Sequence, residues 1–172
     1  NWVFKGRSYL DCDANGVHDG FELASGAADL NGNAVLDVCE PPIGYCTATP
    51  NSSGQAATLN WGGSTNIALN DFVLYADSCP PNAFGVFAVS EAPASVPFGD
   101  GVLCVSAPIT RLSAVSANAI GSASLLLDND LLTSGASPIA PGSQRCFTFF
   151  FRDAAGGPAG FNLSNGLSVT FL

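Results

Sequence analysis

After residue 42, apolar residues come in short runs that often alternate with polar ones, a pattern typical of β-strands. Eight such runs occur: ATLNW (57–61), DFVLYA (71–76), FGVFAVS (84–90), GVLCVSAP (101–108), ITRLSAV (109–115), SASLLLD (122–128), RCFTFFFRD (145–153) and LSVTFL (167–172). The PP, PFGDG and AGGPAG segments supply turns between them. No window of about eleven residues has a helical apolar period. The pattern therefore predicts a mainly β protein.

Eight strands at this spacing favour an antiparallel β-sandwich of jelly-roll or immunoglobulin-like topology, with one face of each strand buried. The run 145–153 carries aromatic residues on both faces of one strand. That is normal for a central strand, and the alternative is a surface that another chain covers. We expect the central strand.

The N-terminal part of the chain differs from the rest in its charged residues. They make up only 11% of the 172 residues, and the net charge is −9. Lys5 and Arg7 are the only cations near each other in sequence, so a basic surface for nucleic acid is not expected. Half of the carboxylates lie within the first forty residues, which predicts that a cation is bound there: Asp11, Asp13, Asp19, Glu22, Asp29, Asp37 and Glu40.

The segment DCDANGVHDGFE (11–22) matches the calcium-loop pattern D-x-D-x-N-G-x-x-D-x-x-E. Calcium takes six to eight oxygen ligands, and Gly16 permits the sharp turn that brings them round one centre. The ligands that the pattern predicts are Asp11, Asp13, Asn15, the Val17 carbonyl, Asp19 and Glu22.

A second copy of the pattern, DLNGNAVLDVCE, follows at residues 29–40. Its predicted ligands are Asp29, Asn31, Asn33, the Val35 carbonyl, Asp37 and Glu40. Ala34 replaces the turn glycine and Asn31 replaces a carboxylate, so we expect weaker binding here than in the first loop. Two ions are the favoured prediction. One ion, or a solvated acidic region without specific binding, are the alternatives.

Only six residues, LASGAA (23–28), separate the loops, which is too short for the two helices between paired EF-hand loops. The spacing resembles thrombospondin type 3 repeats and the calcium loops of dockerins, in which the chain wraps around ions. That resemblance implies calcium-dependent folding and extracellular use, and it fits a disulfide between Cys12 and Cys39. The recognition helices of dockerins are missing, so the resemblance does not extend to cohesin binding.

The domain organisation that we expect has three parts. Residues 1–10 form an extended arm, residues 11–42 form the calcium module, and residues 43–172 form the sandwich. Pro41 and Pro42 provide a stiff joint between the last two parts.

Six cysteines without a CxxC pair favour three disulfides in an oxidising compartment. Sequence order favours the pairs Cys12–Cys39, Cys46–Cys79 and Cys104–Cys146. The chain begins at Asn1, contains no Met and has neither a leader nor eighteen consecutive apolar residues. We expect a processed, secreted protein that is extracellular or at a cell surface.

Taken together, the two calcium patterns, the YCTA start, PFGDGVLCV and FFRDAAGGPAGFNLSNGL resemble an uncharacterised family of secreted bacterial proteins. The resemblance covers nearly the whole chain. It implies an extracellular setting, thrombospondin type 3 or dockerin-like calcium loops and a β-sandwich, but no reaction.

An enzyme is not expected. His18 is the single histidine and lies within the first calcium loop, so no nucleophile has a histidine base. Nothing in the sequence singles out a glycosidase pair among Asp71, Asp77, Asp100 and Asp153.

The favoured function is a structural subunit that self-associates into a filament or a surface layer. Its N-terminus, NWVFKG, places Trp2 and Phe4 on one side of an extended strand, and such an arm can add to a neighbour's open sheet edge. The alternative is a secreted adhesive or carbohydrate-binding module, with Trp61 and Tyr75 as the residues that contact the glycan.

Overall fold

A computed structural model of the chain describes residues 11–12, 15–27, 29, 34–36, 39–128 and 139–172. It contains two compact units, Asn1–Pro41 and Pro42–Leu172. In the described residues of the first unit, one α-helix, α1 (Asp19–Ala24), follows the first acidic loop. No helix among the described residues is both long enough and apolar enough to cross a bilayer.

The second unit is built from short strands, as the alternating runs predict. Its described strands are β1 (Ile43–Tyr45), β2 (Thr58–Gly62), β3 (Val73–Asp77), β4 (Phe84–Ser90), β5 (Pro93–Phe98), β6 (Gly101–Val105), β7 (Thr110–Ser116), β8 (Ala123–Leu126), β9 (Gln144–Arg152), β10 (Phe161–Leu163) and β11 (Gly166–Thr170). A 3-10 turn, Ile67–Leu69, lies between β2 and β3.

These strands form three sheets. The main sheet has the order β1-β11-β9-β4-β7, and β10 also pairs with β9. A second sheet has the order β2-β3-β8, and β5 and β6 form a separate hairpin. All the ladders are antiparallel. The prediction of a mainly β, antiparallel, sandwich-like fold is confirmed.

The larger core contains inward-facing residues of the main sheet and of the β2-β3-β8 sheet. Strand β9 contributes alternate residues to it, Phe147, Phe149 and Phe151, and all three are buried. Phe171 packs edge-on against Phe147 and against Phe72. Because strand side chains alternate between faces, the odd-numbered residues of this part of β9 all point into the same core.

The even-numbered residues of β9 face the other way, where the β5–β6 hairpin and the β10–β11 turn cover part of the strand. Thr148 is buried and its hydroxyl lies 3.3 Å from the Ser164 carbonyl oxygen. The Tyr45 hydroxyl donates to the carbonyl of Cys104, a buried residue of β6. The aromatic run 145–153 is therefore a central strand with both faces engaged.

Each of the eight predicted strand runs overlaps an observed strand, and three further strands were not predicted. Strands β1 and β10 have three residues each, too few to show a period. Strand β5 contains Pro93 and Pro97, and proline normally argues against a strand. It is tolerated here because β5 hydrogen-bonds to β6 alone among the described strands.

The disulfides agree only partly with the predicted pairing. Cys12 and Cys39 are bonded, as expected, with their Cα atoms 5.9 Å apart. The second disulfide joins Cys46 to Cys104. The predicted pairs Cys46–Cys79 and Cys104–Cys146 are therefore wrong, and the structure has two disulfides rather than three.

The two remaining cysteines are buried thiols in different places. Cys79 belongs to the larger core. Cys146 lies on the opposite side of β9, at the level of Ser90 in β4 and Ser168 in β11. The main sheet thus separates the two free thiols from each other, and position along the chain does not reveal which side of it a cysteine occupies.

Substitution of Gly85 by alanine tests the packing of the larger core. A Cβ at this position would overlap the Phe149 ring and lie 2.5 Å from the Phe150 carbonyl oxygen. We expect Gly85→Ala to lower the free energy of unfolding by about 2 kcal/mol or more, measured by urea denaturation at fixed calcium concentration. Gly44→Ala is the control, because its Cβ would lie 3.4 Å from the nearest atom. Equal effects of the two substitutions would contradict the packing described.

Candidate metal centre

The first acidic loop is folded around its opening carboxylate. The Asp11 carboxylate accepts hydrogen bonds from the backbone N–H groups of Asn15 and Gly16, each at 3.0 Å. Gly16 has a φ of +87°, which glycine adopts without a steric penalty. The Asn15 side-chain oxygen accepts from the Val17 N–H at 2.8 Å. The loop therefore has the tight turn that the pattern predicts.

Helix α1 positions the last two predicted ligands of this loop. It starts at Asp19, and the His18 imidazole caps it by accepting from the Gly20 N–H at 3.0 Å. Asp19 is buried, and its carboxylate accepts from the Cys12 N–H at 2.9 Å. One turn later, Glu22 accepts from the Asn15 amide at 2.7 Å. Its second oxygen, Oε2, is buried and has no hydrogen-bond partner among the described residues.

The second loop repeats the turn of the first. The Asp29 carboxylate accepts from the Ala34 N–H at 3.0 Å, as Asp11 does from Gly16. Ala34 has a φ of +63°, in the left-handed region where a Cβ costs about 1 kcal/mol. Positions 1 and 6 of both loops thus share one backbone geometry, although only the first loop has glycine at position 6.

These donors fit a calcium ion in chemistry. They are carboxylate, amide and carbonyl oxygens, which calcium prefers, and a buried unpartnered oxygen of Glu22 is the group that a cation would satisfy. Cys12, Asp19 and Cys39 also lie close together, but both sulfurs are in the disulfide and are not free to bind a metal.

The remaining predicted ligands are only partly among the described residues. Asp13, Asn31, Asn33 and Asp37 lie outside the described residues. Val17 is exposed, whereas Val35 and Glu40 are half-buried. The arrangement joins Asp11, Asn15, Asp19 and Glu22 through hydrogen bonds around the first loop, and it places Asp29 in the matching position of the second loop.

Little apolar packing supports this module within its described residues. Leu36 is a buried apolar side chain, while Phe21 of α1 is 72% exposed. The Cys12–Cys39 disulfide joins the two loops covalently. A module of this kind depends on cross-links and polar contacts, and ion binding would then contribute directly to folding.

Two further carboxylates considered as catalytic candidates hold a loop of the second unit. Asp100 accepts from the backbone N–H groups of Ala159 and Gly160, at 3.2 and 2.9 Å. Asp153 is buried and accepts from the Ser52 N–H at 3.0 Å. They pack onto adjacent glycines, Gly157 and Gly156, where a Cβ would overlap each carboxylate. The contacts of both residues are those of loop anchors.

Trp61 and Tyr75, the candidate glycan contacts, are 37% and 40% exposed. In the β2–β3 ladder, Trp61 lies opposite the buried Leu74, and Tyr75 lies opposite Asn60. Residues opposite each other in a ladder share a face, so the two aromatic side chains lie on different faces of this sheet. The Trp61 ring also stacks on Phe72 at 6.0 Å. The two residues do not form one aromatic platform.

Burial makes both free thiols harder to ionise. It raises the pKa of Cys79 to about 12, with the charge of Asp77 as a second cause. Burial also raises the pKa of Cys146, and it is the main reason that the pKa of Tyr45 is raised. An unfolded thiol ionises near pH 9, so Cys79 makes the native state progressively less stable as pH rises from about 9 to 12.

Searches against family models, curated proteins and solved structures found no match to this chain. The resemblance to a secreted bacterial family therefore stays a prediction.

Exchange of the residues at loop position 6 tests the calcium loops. Ala34→Gly removes the strain at φ +63°, so we expect calcium affinity of the second loop to rise about fivefold. Gly16→Ala introduces the same strain and should weaken the first loop by a similar factor. Isothermal titration calorimetry measures both changes and the number of ions, expected to be two. Gly54→Ala, a positive-φ glycine of the second unit, is the control. An unchanged titration in both loop variants would contradict the prediction.

Thiol labelling tests the cysteine assignment. At pH 8 about one Cys79 thiol in ten thousand is ionised, so native protein should take up no iodoacetamide over an hour. We expect two labels per chain in denaturant without reductant and six after reduction, counted by mass spectrometry. No label in denaturant would mean that a third disulfide exists.

Proposed function

We propose that the protein is an extracellular, calcium-stabilised structural protein that associates with copies of itself. The observation that carries the proposal is the open edge of the main sheet at β7. This strand has seven residues and hydrogen-bonds to β4 alone among the described strands. It contains neither proline nor lysine, two residues that commonly protect a sheet edge, and Arg111 is its single charged residue.

The N-terminal arm has the length and character of a strand that could occupy such an edge. Trp2 and Phe4 lie outside the described residues, so this step rests on the sequence. Six extended residues, NWVFKG, span about 20 Å, and a seven-residue strand spans about 23 Å. An arm donated to the next subunit gives a head-to-tail contact, which propagates when the rotation does not close.

Calcium and disulfides support the extracellular part of the proposal. Both described disulfides are of the kind that persists in an oxidising compartment. The paired loops at Asp11 and Asp29 offer hard oxygen donors to calcium, and the module has few buried apolar residues. In this proposal the ions fold the module and hold the arm that precedes it at a defined position.

The carbohydrate-binding alternative has less support. Its two candidate aromatic residues lie on different faces of the β2-β3-β8 sheet, so they cannot stack on the same sugar.

Electron microscopy of the protein with calcium and after chelation tests the proposal. We expect filaments or sheets with calcium and dispersed particles without it. The double variant Trp2→Ser/Phe4→Ser should abolish assembly in calcium, because the arm loses the apolar side chains on one of its faces. Val3→Ser is the control on the other face and should assemble like the wild type.

A peptide of residues 1–10 provides a second test. If the arm is donated between subunits, the peptide should compete for the β7 edge and shorten the assemblies, whereas a scrambled peptide should not. Assembly of the Trp2→Ser/Phe4→Ser variant at the wild-type level would rule out the arm. Dispersed wild-type particles under all calcium conditions would rule out self-association itself.

A further inference from the structure

An apolar groove crosses the outer face of the main sheet, beside the β5–β6 hairpin. Its larger part is a cavity of about 240 Å³, and its floor includes Val86 and Ala88 of β4 and Phe150 of β9. Phe98 and Leu103 of the hairpin form one wall, and Ile109, the residue before β7, also lines the cavity. A second cavity of about 180 Å³ adjoins it, sharing Val86 and Phe150 and bounded by Phe84 and Phe161.

The groove exists because the side chains of β9 alternate between the two faces of the sheet. Phe150 lies on the face opposite to Phe149, and the hairpin that covers this face reaches it through Phe98, whose ring centroid is 6.0 Å away. Phe98 also packs against Phe161 at 5.4 Å. The apolar floor between these rings and β7 is left open. Phe84 and Phe98, on its rim, are among the exposed large apolar side chains.

Positive charge lies at both ends of the groove. Residues 42–172 contain three cations, Arg111, Arg145 and Arg152, in a chain of net charge −9. Arg111 lines the larger cavity and Arg152 lines the smaller one. Arg145 is buried, and its guanidinium donates to the Gln144 carbonyl at 2.6 Å. Both exposed arginines of the second unit therefore lie at the apolar groove.

The two guanidinium groups are available to a ligand. Within the part of the chain that the structure describes, neither Arg111 nor Arg152 forms an ion pair or a hydrogen bond through its side chain. None of the described residues that line the two cavities is a carboxylate. Arg111 lies beside Ala88, and Arg152 lies near Phe84, at positions about 13 Å apart along β4.

We propose that this groove is a binding site for an amphipathic organic anion, whose apolar body lies on Val86 and Phe150 and whose anionic group pairs with Arg111. An apolar cavity with one convergent charged group is the usual form of a small-ligand site. The guanidinium recognises a carboxylate, sulfonate or phosphate through two parallel hydrogen bonds. Ligands of this class share a single anionic group attached to an apolar body.

The N-terminal arm is a poor occupant of the same groove. Lys5 and Arg7 follow Trp2 and Phe4 closely, so an arm docked here would bring two cations towards Arg111 and Arg152. Like charges that are brought together in a partly desolvated groove repel each other. The proposed ligand therefore lies on the face of the sheet, whereas the proposed arm pairs with the backbone edge of β7, the strand that carries Arg111.

Titration of full-length protein with alkanesulfonates in calcium buffer tests the proposal. Isothermal titration calorimetry should detect one site for octanesulfonate, with hexanesulfonate about tenfold weaker, because each buried methylene contributes about fourfold in affinity. Octyltrimethylammonium has the same chain and the opposite charge, and it should bind at least tenfold more weakly than octanesulfonate. Equal binding of both amphiphiles, or no binding of octanesulfonate, would overturn the proposal.

Four variants locate the site. Arg111→Gln should weaken octanesulfonate binding about tenfold or more, and Arg111→Lys should restore part of the loss. Ile109→Trp fills the groove at its rim and should abolish binding. Ile120→Trp adds the same bulk at an exposed turn residue outside both cavities and should bind like the wild type.

The outcomes are separable from those of the assembly experiment. Wild-type affinity in both Arg111→Gln and Ile109→Trp would place the ligand elsewhere and overturn the proposal. Loss of self-association in Ile109→Trp, with ligand binding intact, would make the groove an interface between copies and overturn it too. Thermal denaturation checks the fold of each variant, and if Arg111→Gln does not fold, the opposite-charge comparison on the wild type decides.

Discussion

The structure of residues 42–172 depends on the burial of β9 on both faces. Phe147, Phe149 and Phe151 anchor the larger core on one face, while Cys146 and Thr148 are buried on the other. Strands β4, β10 and β11 all pair with this strand. A register shift of one residue would move polar Thr148 into the phenylalanine core, so the two environments together fix the alignment of the sheet.

The sequence predicts the class of fold well because strand periodicity is local. The run 145–153 shows a central strand directly, and seven other runs mark strands correctly. The sequence does not predict features that depend on tertiary contacts. Strand β5 tolerates Pro93 and Pro97 because one of its edges has no partner among the described strands. The Cys46–Cys104 disulfide depends on how the hairpin packs across the sheet, which spacing along the chain does not encode.

The candidate metal centre could be predicted from a local sequence pattern, whereas the groove depends on tertiary contacts. The two acidic loops are contiguous in sequence, so their turns at Gly16 and Ala34 could be predicted from the pattern. Alanine at position 6 led us to expect weaker binding by the second loop, and its φ of +63° lies in the left-handed region, where a Cβ is unfavourable. The groove combines β4, β7 and β9 with the hairpin. Arg111 and Arg152 are 41 positions apart, and neither carries a signal in its own neighbourhood.

The two faces of β9 also differ in which substitutions they tolerate. Positions 147, 149 and 151 belong to the larger core, where substitutions alter volume and stability together. Positions 150 and 152 border the groove. Related chains can therefore diversify the groove by changing alternate residues of a single strand while the other residues keep the packing intact. Such a strand lets surface chemistry evolve at little cost to foldability.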